Sequence, residues 1–566
     1  MFKEEIINLL KIYVTTDIEL ATPPNQEFGD YAFPCFALAK EKKKSPLEIA
    51  KELANHISND LKKNNNISKV ESNGSYVNFF VKSSKVAEQI LKEIYEKKKR
   101  YGHSEEHKGK TIVSDFSSPN VAKPFGMGHL RSTVIGNSVN KILRAQGYNV
   151  IGVNHIGDWG TPYGAYIVAF NKWGDSNKLE KEPIKHLYEL YVRFNKEKET
   201  NDSLQEEARE QFKKLEEGDK ESTKLWKKFR DLSLKEFGRI YGLLGVSFDS
   251  YNGEAFYSDK IESVFEEIKK KNICEESDGA IIVKIKGEEV PCILKKSDGA
   301  STYALRDLAA IKYRIETYNP EKILYFTDSG QSLHFKQIFT VANMITEDLG
   351  KTEFVHVPFG MLLSMEGKKM STRQGTLILL DEVITTTINK VEKIISNKNP
   401  NLKNKKEVAK QVAVGAIIFG DLSNDRIKDI KFDWDKILDF EGDTGPYIQY
   451  THARACSILR KAEEEIKLSS DIDYDSLGSD VEKELITQLA KMKEILFESA
   501  KNFKPHTLAN YLIELTRLFN EFYHKNQVLK EEDEKKRNAR LLLVFCSKVV
   551  ISNSLDLLGV SSPDEM

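Results

Sequence analysis

Apolar positions recur along this chain at two spacings, and the places where the spacing changes divide it into regions. The opening stretch, residues 1–20, sets Glu4 and Glu5 before a broken apolar run, the pattern of an amphipathic helix rather than of a signal peptide. Helical spacing then alternates with short strands such as residues 75–81, up to the charged run 96–100. From Lys110 the pattern changes. Residues 111–116 read as a strand, a Ser/Pro/Gly loop follows, residues 128–146 read as a helix closed by Gly147, and residues 148–153 read as the next strand. A strand, loop, helix, strand unit implies a parallel α/β sheet. Residues 176–240 are dense in Lys and Glu at helical spacing and read as a solvated helical insertion. Further strands are expected at 279–285, 323–327 and 354–358. The Asn/Lys-rich stretch 396–406 reads as a loop, and from Tyr447 onward amphipathic helical spacing dominates, so the C-terminal part is expected to be a helical bundle. No internal repeat interrupts this order.

Composition narrows the class without naming a function. At about 100–200 residues per domain, 566 residues suggest roughly three domains. With 40% hydrophobic and 30% charged residues, the chain has enough apolar material to fold. Lys+Arg (85) and Asp+Glu (86) nearly cancel, which excludes a nonspecific nucleic-acid coat but leaves room for local basic faces. Five scattered cysteines without a C-x-x-C pair make neither a disulfide framework nor a zinc knuckle, and suit a reducing compartment. The late apolar run 541–551 is too short to span a bilayer and contains Lys548. The expectation is a soluble cytoplasmic protein with no membrane partner.

Two segments carry candidate chemistry. Between the first sheet strand and its helix stand Ser117-Ser118-Pro119-Asn120-Val121-Ala122-Lys123-Pro124-Phe125-Gly126-Met127-Gly128-His129. Glycine at a helix start lets a ligand approach the backbone, where unpaired amides and the helix dipole attract anions, and the His129 imidazole can donate to a phosphate. The loop fits neither the dinucleotide fingerprint, which would want glycine at Arg131, nor a P-loop. Taken alone it reads as an ordinary helix-start turn. The second segment, Glu366-Gly367-Lys368-Lys369-Met370-Ser371-Thr372-Arg373-Gln374-Gly375, is a glycine-bounded basic loop whose Lys369 lies 240 residues after His129. Lysines on such a loop suit a triphosphate, although a solvated charge run has the same composition.

Together the two segments resemble the H-x-G-H and K-M-S-K-S motifs of class I aminoacyl-tRNA synthetases. The surrounding text is similar to the arginyl-tRNA synthetase family: residues 117–124, then Asn154-His155-Ile156-Gly157-Asp158-Trp159-Gly160-Thr161, Tyr303-Ala304-Leu305-Arg306-Asp307 and 445–455, with Phe28-Gly29-Asp30-Tyr31-Ala32 near the start. The resemblance spans the chain to Val560. It implies an α+β N-terminal tRNA-binding domain (1–105), a Rossmann-like parallel-sheet catalytic domain with helical insertions (106–435) and an all-α anticodon-binding bundle (436–566). It departs from the motifs at Gly126, where the first histidine is usual, and at Thr372, where the second lysine is usual, and Lys123 is the family's expected substitute for that charge.

The same resemblance implies the site. His129, Lys369 and Lys123 would act on the phosphates, with Gly126, Gly128, His334, Met370 and Ser371 also on the ATP side. Asp115, Asn120 and Gln331 would hold the α-amino and carboxylate ends of L-arginine. Glu254 and Asp307, with Tyr303 one helical turn before Asp307, would take its guanidinium, a planar fork that pairs best with carboxylates. Phe28, Tyr31, Tyr447 and Arg454 would contact tRNA. Mg2+ would travel with ATP, no protein metal site is expected, and the family implies a monomer. A class I enzyme for glutamate or cysteine fits less well, because two carboxylates suit a cation and the cysteine enzyme's zinc ligands have no counterpart. A catalytically silent tRNA-binding paralogue is disfavoured by the intact His129 and Lys369.

Overall fold

Short Val/Ile runs buried on both faces, such as residues 112–113, mark parallel strands, and four parallel strands form the central sheet. The computed structural model describes residues 2–566 except 16, 22, 24, 25, 62–65, 347–349, 364–378, 432, 463–467 and 469–471. Lys369, Met370, Ser371 and Thr372 therefore lie outside the described residues. Two compact units divide the chain: residues 1–99, 458–491 and 517–550 form one, and residues 100–457, 492–516 and 551–566 the other.

In the first unit, strands β1 (Tyr31–Pro34), β2 (Ile67–Asn73) and β3 (Tyr76–Val81) make an antiparallel sheet in the order β1-β3-β2. The Pro46–Asp60 helix begins at Ser45, whose hydroxyl accepts the Glu48 amide while Glu48 reaches back to the Ser45 amide. Its apolar face, Ile49, Leu53 and Ile57, joins Phe33, Val77 and Phe79 in one core. Elsewhere in this unit Arg540 is buried against Glu482 at 2.9 Å.

The second unit holds β4 (Thr111–Asp115), β5 (Asn149–Val153), β9 (Lys322–Tyr325) and β10 (Glu353–His356), all parallel, in the order β10-β9-β4-β5. Between β5 and β9 in sequence, β6 (Glu275–Ser277), β7 (Ala280–Val283) and β8 (Cys292–Lys295) form a separate antiparallel sheet, so the strand expected at 279–285 is not part of the parallel one. Asp115 pairs with Val153 on one side and Tyr325 on the other, so β4 ends at the point where the sheet's order reverses. In such sheets ligands bind beyond the carboxyl ends of the strands at that point. The Met127–Ala145 helix follows β4 and lies close on the sheet at Gly136, where a Cβ would meet Phe116 at 2.5 Å.

The Lys/Glu-rich region folds into helices Ser176–Lys181, Pro183–Glu197, Ser203–Glu216 and Lys220–Leu244. Their outer faces are solvated, as expected. Their inner face is not: Leu179, Leu187, Phe212, Leu215 and Phe229 are buried with Val121, Ala122 and Tyr166. The insertion therefore supports the loop that follows β4. The loop expected at 396–406 shrinks to the few residues between helices Leu380–Lys398 and Lys405–Leu422. No described helix is long and apolar enough to cross a membrane.

Candidate active site

The loop after β4 is held in a conformation its residues do not favour. Ser117, Ser118 and Ala122 have φ of 70°, 48° and 63°. Non-glycine residues in this region carry strain and persist only where surrounding bonds fix them. Here the Ser117 amide donates to Ser132 Oγ at 2.8 Å, the Ser118 amide to Asn154 Oδ1 at 3.2 Å and the Ala122 amide to Ser233 Oγ at 3.0 Å. Asn120 stays exposed at the loop's edge, bridged to Gly157.

Gly126 then opens the Met127–Ala145 helix, and its amide donates to His129 Nδ1 at 3.3 Å. With Nδ1 accepting, the ring keeps its proton on Nε2. Burial pushes the imidazole down to about 4, against the opposing effect of the Gly126 bond, and the nearby Lys123 charge pushes in the same direction as burial. His129 is thus a neutral donor at a helix N-terminus. Lys123 Nζ stands 5.6 Å from the Tyr191 ring centroid, on the side of the helical insertion.

Described residues that flank the basic segment lie beside this helix. Upstream, Arg131 is 1% exposed and donates to the carbonyls of Gly360 (2.6 Å), Lys428 (2.8 Å) and Arg426 (3.2 Å), while its Nε lies 3.0 Å from Asp421. Gly360 lies just before strand β11 (Leu362–Leu363), which pairs with β12 (Ile430–Lys431). Downstream, Leu379 bridges Gly126 and the Leu380 amide donates to the Phe125 carbonyl at 3.1 Å. The described residues on either side of that segment, 360–363 and 379–380, thus both reach the start of this helix or its Arg131.

A second wall is built by the Tyr303–Tyr318 helix, which presents Tyr303, Arg306, Asp307 and Arg314 at helical spacing. Asp307 Oδ2 lies 2.7 Å from His334 Nε2, so His334 sits on the carboxylate side of the site. Glu254 begins a short 3-10 turn and is close enough to Asp307 and Asp158 for their charges to disfavour its ionisation. Burial is the largest cause, and together these push the Glu254 carboxyl up to about 7, partly offset by Arg306, whose Nη1 lies 3.3 Å from Glu254 Oε2. Preceding Gly253 is required by a close approach, since a Cβ there would meet Asp158 Oδ1 at 2.6 Å. Asp158 is itself paired with Arg230 at 2.9 Å.

At the end of β4, Asp115 accepts from Ser118 Oγ at 2.8 Å and from buried Arg314 at 2.7 Å, and Arg314 also reaches Tyr325 Oη at 3.1 Å. His155 Nδ1 lies 3.3 Å from the same guanidinium. Gln331, on an exposed turn, donates to Asp328 at 2.9 Å. Arg306, Arg314 and Ser118 are site residues that sequence reasoning missed. Arg306 and Arg314 stand on the same helix as Asp307, one and seven residues away, and that spacing was the signal available.

Elsewhere, Phe28 is exposed and Tyr31 pairs with Phe79 across β1 and β3. On the Gly445–Lys461 helix Tyr447 is partly buried, Tyr450 is exposed and the Arg454 guanidinium lies 5.1 Å from the Tyr450 ring centroid. Phe519 and Phe522 are fully buried and belong to a core. Among the described residues, His452, Cys456 and Asp564 bring three possible metal-binding side chains together. The sulfur is almost equidistant from the two ring nitrogens, 3.8 and 3.9 Å, and so faces the ring rather than one lone pair, while His452 Nδ1 lies 3.0 Å from the Pro563 carbonyl oxygen.

Comparison with known proteins covers the whole chain. The family description "tRNA synthetases class I (R), catalytic domain" matches residues 89–434, "Arginyl tRNA synthetase N terminal domain" matches 1–81 and "DALR anticodon binding domain" matches 448–566. The chain is 46% identical over 565 residues to the arginine–tRNA ligase of Clostridioides difficile, covering 100% of this chain and 98% of that protein. To the arginine–tRNA ligase of Clostridium beijerinckii it is 45% identical over 571 residues, with 100% of both covered. The solved arginyl-tRNA synthetase of Thermus thermophilus superimposes with a TM-score of 0.79 at 25% identity, covering 100% of this chain and 99% of that one. That of Plasmodium falciparum gives 0.76 at 26%, covering 100% and 98%.

Proposed function

The chain belongs to the arginyl-tRNA synthetase family of class I, and on that premise we propose that its site joins L-arginine to the 3′ end of arginine tRNA at the expense of ATP. In the family's reaction the arginine carboxylate attacks the α-phosphorus of ATP, forming arginyl-adenylate and releasing diphosphate. The terminal ribose hydroxyl of tRNA then attacks the acyl carbon and releases AMP. No side-chain nucleophile is needed, so positioning and charge neutralisation carry the rate.

The observation that carries this reading is the convergence of Glu254 and Asp307 at the carboxyl edge of the parallel sheet, beside a helix-start glycine loop. Two carboxylates suit a guanidinium, and the open helix N-terminus suits a phosphate chain. In this reading Tyr303 lines the guanidinium pocket, and Asp115, Asn120 and Gln331 meet the amino-acid head. His129 donates through Nε2 to the phosphates, with Gly126 and Gly128 allowing close approach and Lys123 supplying charge. Lys369, Met370 and Ser371 act from the basic loop, and His334 takes a place between Asp307 and the nucleotide. Mg2+ enters with ATP as its counterion. Phe28 and Tyr31 contact tRNA through residues 1–105, and Tyr447 and Arg454 through the helical part from residue 436. The protein works as a monomer in the cytoplasm, where its tRNA is.

ATP–pyrophosphate exchange, measured with each amino acid and with or without tRNA, tests the proposal. Exchange specific to arginine, followed by transfer to arginine tRNA alone, is expected. Exchange driven by glutamate or cysteine, or arginine-independent tRNA binding without exchange, would overturn it.

A further inference from the structure

Glu254 is a carboxylate whose charge is contested from several sides. It begins the turn after Gly253 with its side chain 17% exposed. Asp307 faces it from the Tyr303–Tyr318 helix and Asp158 from the loop after β5, and Tyr163 lies behind it on the Thr161–Trp173 helix. Burial and both neighbouring carboxylates favour the neutral acid, which cannot hold a guanidinium as an ion pair. Asp307 is engaged by His334, and Asp158 by Arg230.

Among the described residues, the cation that reaches Glu254 is Arg306, its side chain 18% exposed. It touches Glu254 with one end only: Nη1 is 3.3 Å from Oε2, and the buried Arg306 Nε has no hydrogen-bond partner. A bidentate fork would have consumed both carboxylate oxygens, whereas this one-point contact engages only Oε2. Arg306 is held to this posture by its neighbours, with the Tyr303 ring centroid 5.7 Å from its guanidinium and Glu216 facing its charge from the helical insertion.

We propose that Arg306 is a positioning residue for the substrate: its guanidinium keeps the Glu254 carboxylate ionised and turned into the pocket, so that arginine binding at neutral pH depends on a side chain that is not itself an acceptor. The inference rests on the reading of Glu254 as a guanidinium acceptor. It makes arginine binding pH-dependent in a stated direction. The charged carboxylate binds, so the KM for arginine falls as pH rises through the Glu254 midpoint near 7 and levels off above it.

The test is the arginine KM of aminoacylation by the full chain across roughly pH 6 to 8.5, at saturating ATP and tRNA. Arg306→Gln is expected to move the midpoint up by about one pH unit, which raises KM at pH 7 about fivefold and has progressively less effect at the alkaline end. Arg306→Lys restores the charge and is expected to return the midpoint to within a few tenths of a unit. A uniform rise in KM at every pH would mean a merely structural role and overturn the proposal, as would an unmoved midpoint. Should Arg306→Gln fail to fold, Arg306→Met carries the same comparison, and failure of both neutral variants with full recovery in Arg306→Lys only at low pH would also count against it. Glu254→Gln separates the two levels. If it leaves the arginine KM unchanged, the pocket reading itself has failed. If it raises KM and abolishes the pH dependence while Arg306→Gln leaves the midpoint in place, only the role of Arg306 has failed.

Discussion

Burial holds the His129 imidazole neutral against the opposing Gly126 bond, and acceptance of the Gly126 amide at Nδ1 leaves its proton on Nε2. In the proposed reaction the positive charge at the phosphates then comes from lysines. Thr372 brings none, and Gly126 adds no second imidazole, which leaves Lys369 and Lys123. Lys123 stands close enough to depress His129 further, with its Nζ 5.6 Å from the Tyr191 ring centroid. Removing a partner of transition-state charge commonly costs about 10²-fold or more in kcat. Lys123→Ala is therefore expected to lose most of its activity with an unchanged circular dichroism spectrum, and Thr372→Lys in that background is expected to recover part of it. A near-normal kcat in Lys123→Ala would dispose of the compensation. The pocket carboxylates lead to a different expectation. Truncating one member of a buried charge pair costs about 2–5 kcal/mol, so Asp307→Ala should raise the arginine KM by one to several orders of magnitude while the KM for ATP holds. Wild-type arginine kinetics in that variant would place the guanidinium elsewhere.

At the scale of elements, the Met127–Ala145 helix does more than present His129. Two residues further on, Arg131 points inward and ties the helix to residues 360 and 426–428, the frame from which β11 leads toward the basic segment. Its partner Asp421 is buried as well, and burial raises the Asp421 carboxyl while Arg131 opposes that. Breaking such a pair from one side leaves an unpaired buried charge and typically costs about 3–5 kcal/mol. Arg131→Met should lower the urea midpoint accordingly, and adding Asp421→Asn should return part of the loss. If the single variant is as stable as the parent, the pair is not holding the frame. The strained loop 117–122 belongs to this scale too, since no one of its residues fixes the left-handed turns: Ser132, Asn154 and Ser233, from three different segments, do so together.

For the molecule as a whole, the units of the fold are not segments of the sequence. Residues 492–516 and 551–566 belong to the same compact unit as the parallel sheet, with Ser138 Oγ donating to the Leu557 carbonyl at 3.0 Å and Arg426 to that of Phe503 at 3.1 Å. Cutting the chain near residue 435 is therefore expected to lower its melting temperature and solubility rather than leave an intact ATP-binding piece. Point changes are the cleaner probe of tRNA recognition. Base stacking on an aromatic ring contributes about 1–3 kcal/mol, so Tyr447→Ala and Arg454→Ala should each raise the KM for tRNA about tenfold with the KM for ATP and arginine unchanged. Equal tRNA kinetics would move the contact elsewhere. What the sequence determined by itself was local: the β4 strand and its helix, the apolar runs that give β5 and β9, and the glycines at the helix start, because periodicity and capping act over a few residues. What only the tertiary structure decided was who stands beside whom. Arg306 against Glu254, His334 on Asp307, Arg314 on Asp115, the helical insertion under the loop and Asp564 beside Cys456 are contacts between residues distant in sequence, or between faces whose depth of burial no local pattern records. Burial is the largest influence on the charge of His129 and Glu254, and burial is a property of the packed chain alone.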